Sequence, residues 1–358
     1  MKRIIKYFIT ILLSICFGYS QSLEETIESM AKTNTQGYLG PMVTAFGMGM
    51  NSGTFQNAKP HSLLGFDFKM GLSLTSITDA GKTFDFVLPD ADIDVDIVIE
   101  GTPTTISVNP NDIYESDRTS STMCGEATSN SIAVDNTKLK NTIIAQLAYN
   151  LGIDEATISI TYDSEINTAV NDAGISAIST PVGFNLAMVP MTIPQLSIGL
   201  PKHIELTLRG MKAIDLGDLG ELSFFGFGGK IGLNQFIPLP NIVLPNFAVG
   251  YYVTNFEIGN IMTMKNSIAT LQVSKSIPFL TVYGGFGLES SSLDIDYTYT
   301  DDTDETSTVV PVKFSLDGEN KFRSTIGARL KLTVITINAD YNMGELNTVN
   351  IGAGITIR

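Results

Sequence analysis

Tryptophan is absent from the 358 residues, and cysteine and histidine occur only twice each. Neither His61 nor His203 sits in an HExxH motif or any paired-ligand spacing, which removes zinc catalysis. His61 is followed by Ser62, but neighbours on a strand point to opposite faces and make no nucleophile and base pair. Cations are scarce: 22 Lys and Arg stand against 37 Asp and Glu, a formal net charge of −15. Such a chain repels nucleic acid, which excludes that class of partner. After residue 21 no apolar run approaches the about 18 residues that mark a spanning helix. Any crossing of a membrane is therefore made by strands.

Glycine is plentiful, but its clusters carry no nucleotide chemistry. GMGMNSG (47–53) and GFGGKIG (226–232) match neither nucleotide fingerprint, and the second lies within a strand, where glycine marks curvature. No constellation for catalysis or for a cofactor remains, so the chain reads as a non-enzyme without cofactors.

At the N-terminus, Lys2, Arg3 and Lys6 precede an apolar run from Tyr7 to Phe17 and small residues at Gly18 and Ser20. These are the three zones of a secretory signal peptide over residues 1–21. Cleavage removes Cys16 and leaves Cys124 alone, so no intramolecular disulfide forms. Beside the acidity, a mean hydropathy of +0.17 requires the apolar residues to be concentrated in segments.

Residues 22–61 carry a short amphipathic helix, LEETIESMAKT (23–33), then GYLGPMVTAFGMGMNSG (37–53). The second stretch fits neither the helical nor the strand period and is expected to be an irregular, plug-like segment packed against something larger. From residue 62 strand grammar begins. SLLGFDFKMGLSLT (62–75) is apolar at Leu64, Phe66, Phe68, Met70, Leu72 and Leu74, and polar or tiny between them. Residues 84–178 interrupt it with a mixed block that includes a helix-like TKLKNTIIAQLAYNL, with Leu139, Ile143, Leu147 and Leu151 on one stripe. That block is too long for a turn and is expected to be a folded or partly ordered excursion. From about 181 onward alternation resumes, as in HIELTLRG, FRSTIGARLKL and NTVNIGAGITIR, with short polar turns such as LDGEN and NMGEL between neighbours.

The alternation serves either a soluble sandwich, oily inside, or a membrane barrel, oily outside. Several strands alternate for about 10 to 12 residues, close to what a tilted strand needs to span a bilayer and twice the soluble average. The polar face is rich in Gly, Ser, Thr and Asn with isolated charges in mid-strand, as a filled or wet lumen accepts. An aromatic belt without tryptophan falls to residues such as Tyr251, Tyr283, Tyr297, Tyr299 and Tyr341. These features favour an all-β, antiparallel transmembrane β-barrel of about twelve to fourteen strands over residues 62–358, with an N-terminal helix and plug segment.

In that fold Asp67, Lys69, Arg209, Lys230, Arg323, Arg329 and Lys331 face the lumen, paired with carboxylates such as Glu205 and Glu289 or with an anionic solute. Met42, Phe46, Met48 and Met50 in the plug line the expected solute path. Asp92, Asp94 and Asp96 project from one strand face, either as a solvated acidic edge or as a weak calcium site.

The blocks IPQLSIGLPKHIELTLRG and FFGFGGKIGLNQFIPLP resemble an uncharacterised family of outer-membrane β-barrel proteins from Bacteroidota-type bacteria. That family is similar in broad organisation to the fatty-acid transporters of the FadL type, which seat an N-terminal segment as a hatch inside the barrel. The resemblance implies an outer-membrane, porin-like protein, with outer-membrane lipid around it and a small or hydrophobic solute as its passenger. A non-transporting surface or scaffold protein, whose excursion binds a partner or calcium, fits the same residues, and a secreted sandwich remains the third reading.

Overall fold

The computed structural model describes residues 32–215, 221–237, 244–259, 262–301 and 308–357. The expected signal peptide and all but the end of the expected helix over 23–33 lie outside them. The chain divides into two compact units; in described residues, the first holds 39–81 and 185–357, the second 32–38 and 82–184.

Helix α1 covers Lys32–Asn51 and β1 covers Phe66–Ser76. The second unit then supplies β2 (Thr83–Asp85), β3 (Ile93–Ile99), β4 (Thr102–Val108), β5 (Thr119–Ser121), β6 (Ser131–Ile132) and β7 (Ile178–Ser179). Its helices are α2 (Pro110–Ile113), α3 (Asn136–Leu151), α4 (Glu155–Thr161) and α5 (Asp163–Asp172). The first unit continues with β8 (Met188–Leu200), β9 (Ile204–Asp215), β10 (Glu221–Gly232), β11 (Asn246–Ile258) and β12 (Met262–Ser276). It ends with β13 (Leu280–Asp301), β14 (Thr308–Asp317), β15 (Phe322–Leu332), β16 (Ile335–Met343) and β17 (Asn347–Ile357).

Ten of these strands close a ring. From β8 to β13 each strand pairs antiparallel with the next, β13 passes to β15, and β17 returns to β1, which pairs with β8. Closure leaves no open edge within the ring. The expected twelve to fourteen strands are thus too many, because the strands expected over 92–100 and 308–316 do not enter the wall and the one expected over 292–300 continues β13. The strand over 92–100 belongs to the second unit, and β14 pairs only with the far half of β13, from Ser292 to Asp301.

Burial shows which face is which. Asp67, Lys69, Ser73 and Thr75 are buried, whereas Phe68 and Met70 between them are 46% and 41% exposed. The register continues the outer face across neighbouring strands: Phe68 lies opposite Leu196 and Ile355, and Leu208 opposite Phe227. Phe225, Tyr251, Phe286, Phe322, Ile326 and Ile351 extend the exposed apolar belt. Tyr251 and Tyr341 face outward as a belt requires, but Tyr283 does not. It falls on the inner parity of β13 and donates its hydroxyl to Asp340 Oδ2 at 2.8 Å.

The expected irregular stretch 37–53 is helical as far as Asn51. Pro41 and the four glycines at 37, 40, 47 and 49 make it a poor helix former, and its residues are apolar around the whole circumference. Enclosure reverses that preference, since a buried backbone must satisfy its own N–H and C=O groups, and a helix does so internally. A helix covered on all sides also shows no apolar stripe, so its period was invisible.

The second unit is folded around Ile97, Ile106, Ile113, Leu139, Ile143, Leu147, Ile158 and Ile166. Asp135 caps α3 by accepting from the Thr137 and Lys138 amides, and Gly152, at φ 67°, ends it. Glu100 and Gly101, both at positive φ, make the tight turn of the β3–β4 hairpin.

Candidate functional site: a plugged barrel lumen

The end of α1 and the loop that follows occupy the barrel's interior. Gly47 and Gly49 allow the helix to touch the wall: a Cβ at Gly49 would lie 2.9 Å from Met191 Cγ, and one at Gly47 would collide with Ser291. Phe46 packs against Phe256 with ring centroids 5.7 Å apart, and Phe55 meets Tyr283 edge-on at 5.8 Å. Met48 and Met50 are fully buried and Met42 nearly so. The four expected path residues therefore belong to the stopper itself and pack within the closed structure.

A helix ends with carbonyls that lack intrahelical donors and carry partial negative charge. Two wall arginines meet that need. Arg323 Nη2 donates to Met48 O at 2.6 Å and its Nη1 to Ser52 Oγ at 2.8 Å. Arg209 donates through Nη1 to Met50 O and through Nη2 to Ser52 O, both at 2.6 Å. Lys69 Nζ donates to Gly53 O, Gln195 Nε2 to Thr54 O at 3.3 Å, and Lys230 Nζ to Asn57 O at 2.6 Å. Gly53 itself sits at φ 63° against Asn350, a turn that suits glycine.

Carboxylates on the wall complete the charges. Arg329 Nη2 meets Asp67 Oδ2 at 2.7 Å, Arg323 Nη2 meets Glu289 Oε2 at 3.1 Å, and Lys230 Nζ meets Glu205 Oε1 at 3.1 Å. Asp67 Oδ1 also accepts from Gln56 Nε2 of the plug at 3.0 Å. Glu205 holds His61, whose Nδ1 lies 2.8 Å from Oε2, so this histidine fastens the loop to the wall. Asp340, which sequence reasoning missed, accepts from Tyr283, Asn342 and Asn350 at 2.8 Å each. Its signal was present: β16 alternates Thr336, Asn338, Asp340 and Asn342 with Ile335, Ile337, Ala339 and Tyr341.

Six of the seven expected lumen charges are buried in this network. Lys331 is not: it has the same parity as Arg329 but lies at the end of β15, next to the Thr333–Val334 turn, and is exposed. The acidic run also resolves differently from a calcium site. Asp92, Asp94 and Asp96 accept singly from Asn109, Ser107 and Thr105 at 3.1, 2.6 and 2.7 Å. Each carboxylate is thus aimed across the hairpin, and the described residues hold no group of three acidic, His or Cys side chains placed to share an ion.

Polar within, apolar without and stoppered by its own chain, the first unit is a plugged antiparallel β-barrel. The chain belongs to a family described as a family of unknown function (DUF6588), whose pattern matches residues 1–357. No curated protein matches it. Among solved structures it is similar to a bacterial polysaccharide outer membrane secretin, at 12% identity and a TM-score of 0.24, covering 83% of this chain and 100% of that one. It is also similar to in-vitro folded OmpT, an outer membrane protein of Vibrio cholerae, at 10% identity and a TM-score of 0.22, covering 82% and 99%. A third is the TodX deltaS2S3 mutant monoaromatic hydrocarbon channel, at 8% identity and a TM-score of 0.16, covering 82% and 90%. These likenesses are slight, and the description as a barrel rests on the strand order itself.

Proposed function

We propose that this protein is an outer-membrane barrel that is shut at rest and admits a small polar solute when residues 48–58 withdraw from the lumen. The exposed apolar belt supports the membrane setting, since a soluble barrel would carry its charges on that face. A recess between plug and wall, near Asn51, Phe55, Thr325 and Asp340, has room only for water.

One observation carries the reading: the wall's cations grip the plug chiefly through its main-chain oxygens, and two of them, Arg323 and Lys230, already have carboxylate partners on the wall, as does the neighbouring Arg329. Withdrawal therefore leaves Arg323, Arg329 and Lys230 neutralised in a lumen that water enters. Lining of this kind suits a hydrated passenger better than the hydrophobic one that the resemblance implies. Each charged grip contributes ~1.5–3 kcal/mol, enough in sum to keep the resting barrel closed.

Liposome swelling with the purified chain tests it. The intact protein should be tight to sugars, and the double variant Arg209→Ala, Arg323→Ala should leak while still migrating as a heat-modifiable barrel. A folded double variant that stays tight would remove the transport reading. It would leave the second one, a sealed barrel that anchors the folded unit of residues 82–184.

A further inference from the structure

Lys69, Gln195 and Arg209 stand side by side in one cross-strand row. Lys69 lies opposite Gln195, and Gln195 opposite Arg209, on β1, β8 and β9. All three are buried, and all three point donors at one short piece of chain: Gly53 O, Thr54 O, and the pair Met50 O and Ser52 O. Arg323 reaches the same turn from the other side through Ser52 Oγ.

The row contains no acid. Among the described residues neither Lys69 nor Arg209 forms an ion pair with a carboxylate, unlike Lys230, Arg323 and Arg329. The acids nearby are committed elsewhere, Asp67 to Arg329 and Gln56, and Asp340 to Tyr283, Asn342 and Asn350. Within hydrogen-bonding distance the two cations are thus met only by main-chain oxygens at a helix end, while Asp67 and Asp340 act on Lys69 from beyond contact. The fit is incomplete, because among the described residues Arg209 Nε and Gln195 Oε1 are buried without a partner. A guanidinium offering two parallel donors, beside an ammonium, is the arrangement that recognises carboxylate and phosphate oxygens.

We propose that Lys69, Gln195 and Arg209 form an oxyanion site, occupied at rest by the carbonyl oxygens of residues 50–54, and that the solutes admitted are small anions bearing a carboxylate or phosphate group. The inference rests on the reading of the plug as a gate. Such an anion competes with the plug for the same donors, so it both opens the lumen and binds in it.

The test uses the full chain carrying Gly53→Val, which strains the plug turn and crowds Asn350 without substituting any wall residue. In planar bilayers under a potassium chloride gradient, this variant should conduct with chloride favoured over potassium, and inorganic phosphate should reduce the chloride current. Adding Arg209→Gln should abolish both the preference and the phosphate effect, and adding Arg209→Lys should retain the preference. Current without chloride preference, or indifferent to phosphate, would overturn the oxyanion site and leave the gate intact. A folded Gly53→Val barrel that passes no current would overturn the gate, and the site with it.

Discussion

Asp67 and Arg329 meet at 2.7 Å in the barrel interior, although 262 residues separate them and three strand steps, β1 to β17 to β16 to β15, lie between. Both side chains are almost wholly buried. Removing one partner from a buried pair leaves the other charged and unpaired, at a cost of ~3–5 kcal/mol. Asp67→Ala should therefore lower the temperature at which the folded band disappears on a detergent gel. Asp67→Leu combined with Arg329→Met should recover most of the loss, because no charge is then stranded.

Phe68 lies between Asp67 and Lys69 and points the other way. Arginine at a lipid-facing mid-strand position costs ~2–4 kcal/mol. Phe68→Arg should reduce the heat-modifiable fraction recovered from vesicles, and a normal yield would contradict the outward assignment of this face.

A Cβ at Gly49 would lie 2.9 Å from Met191 Cγ, so any larger side chain forces the plug and Met191 apart. Overpacking of this kind costs ~1–3 kcal/mol. In Gly49→Val the strain should fall on the plug, because the wall is held by its strand ladders. Hydrogen exchange should therefore quicken at residues 48–58 while β1 and β17 keep their protection.

Acid should loosen the second unit at identifiable points. Asp154 caps α4, accepting from the Thr157 amide at 3.0 Å and the Thr157 hydroxyl at 2.7 Å, and these bonds hold its carboxyl below the ordinary 3.8. Hydrogen bonding and charge from Lys140 do the same for Asp163 at the start of α5. A carboxyl depressed in the folded state contributes stability that is fully present above about pH 4 and is lost as pH falls through the folded value. Carboxyl carbon shifts should place both titrations below those of free aspartate, and Asp154→Ala should remove the acid-dependent exchange of the Thr157 amide.

Strand parity was legible residue by residue. The alternation in SLLGFDFKMGLSLT, HIELTLRG and NTVNIGAGITIR places Asp67, Lys69, Glu205, Arg209 and Thr356 on one face, and that face is the buried one. Gly37 to Asn51 was not legible as a helix, because its conformation depends on being surrounded and not on its own preferences. Lys331 shows the same limit on a smaller scale, since parity names a face but not how far along the strand the lumen ends.

The amino-acid sequence by itself determined the two-faced strands, the interrupting excursion and the supply of charges on the polar face, all of which follow from a period of two. Only the tertiary structure decided that ten strands close the ring and that the plug's carbonyls meet Arg209 and Arg323. Those outcomes depend on registers between segments far apart in the chain, and on main-chain atoms that every residue carries alike. No pattern of side chains records them.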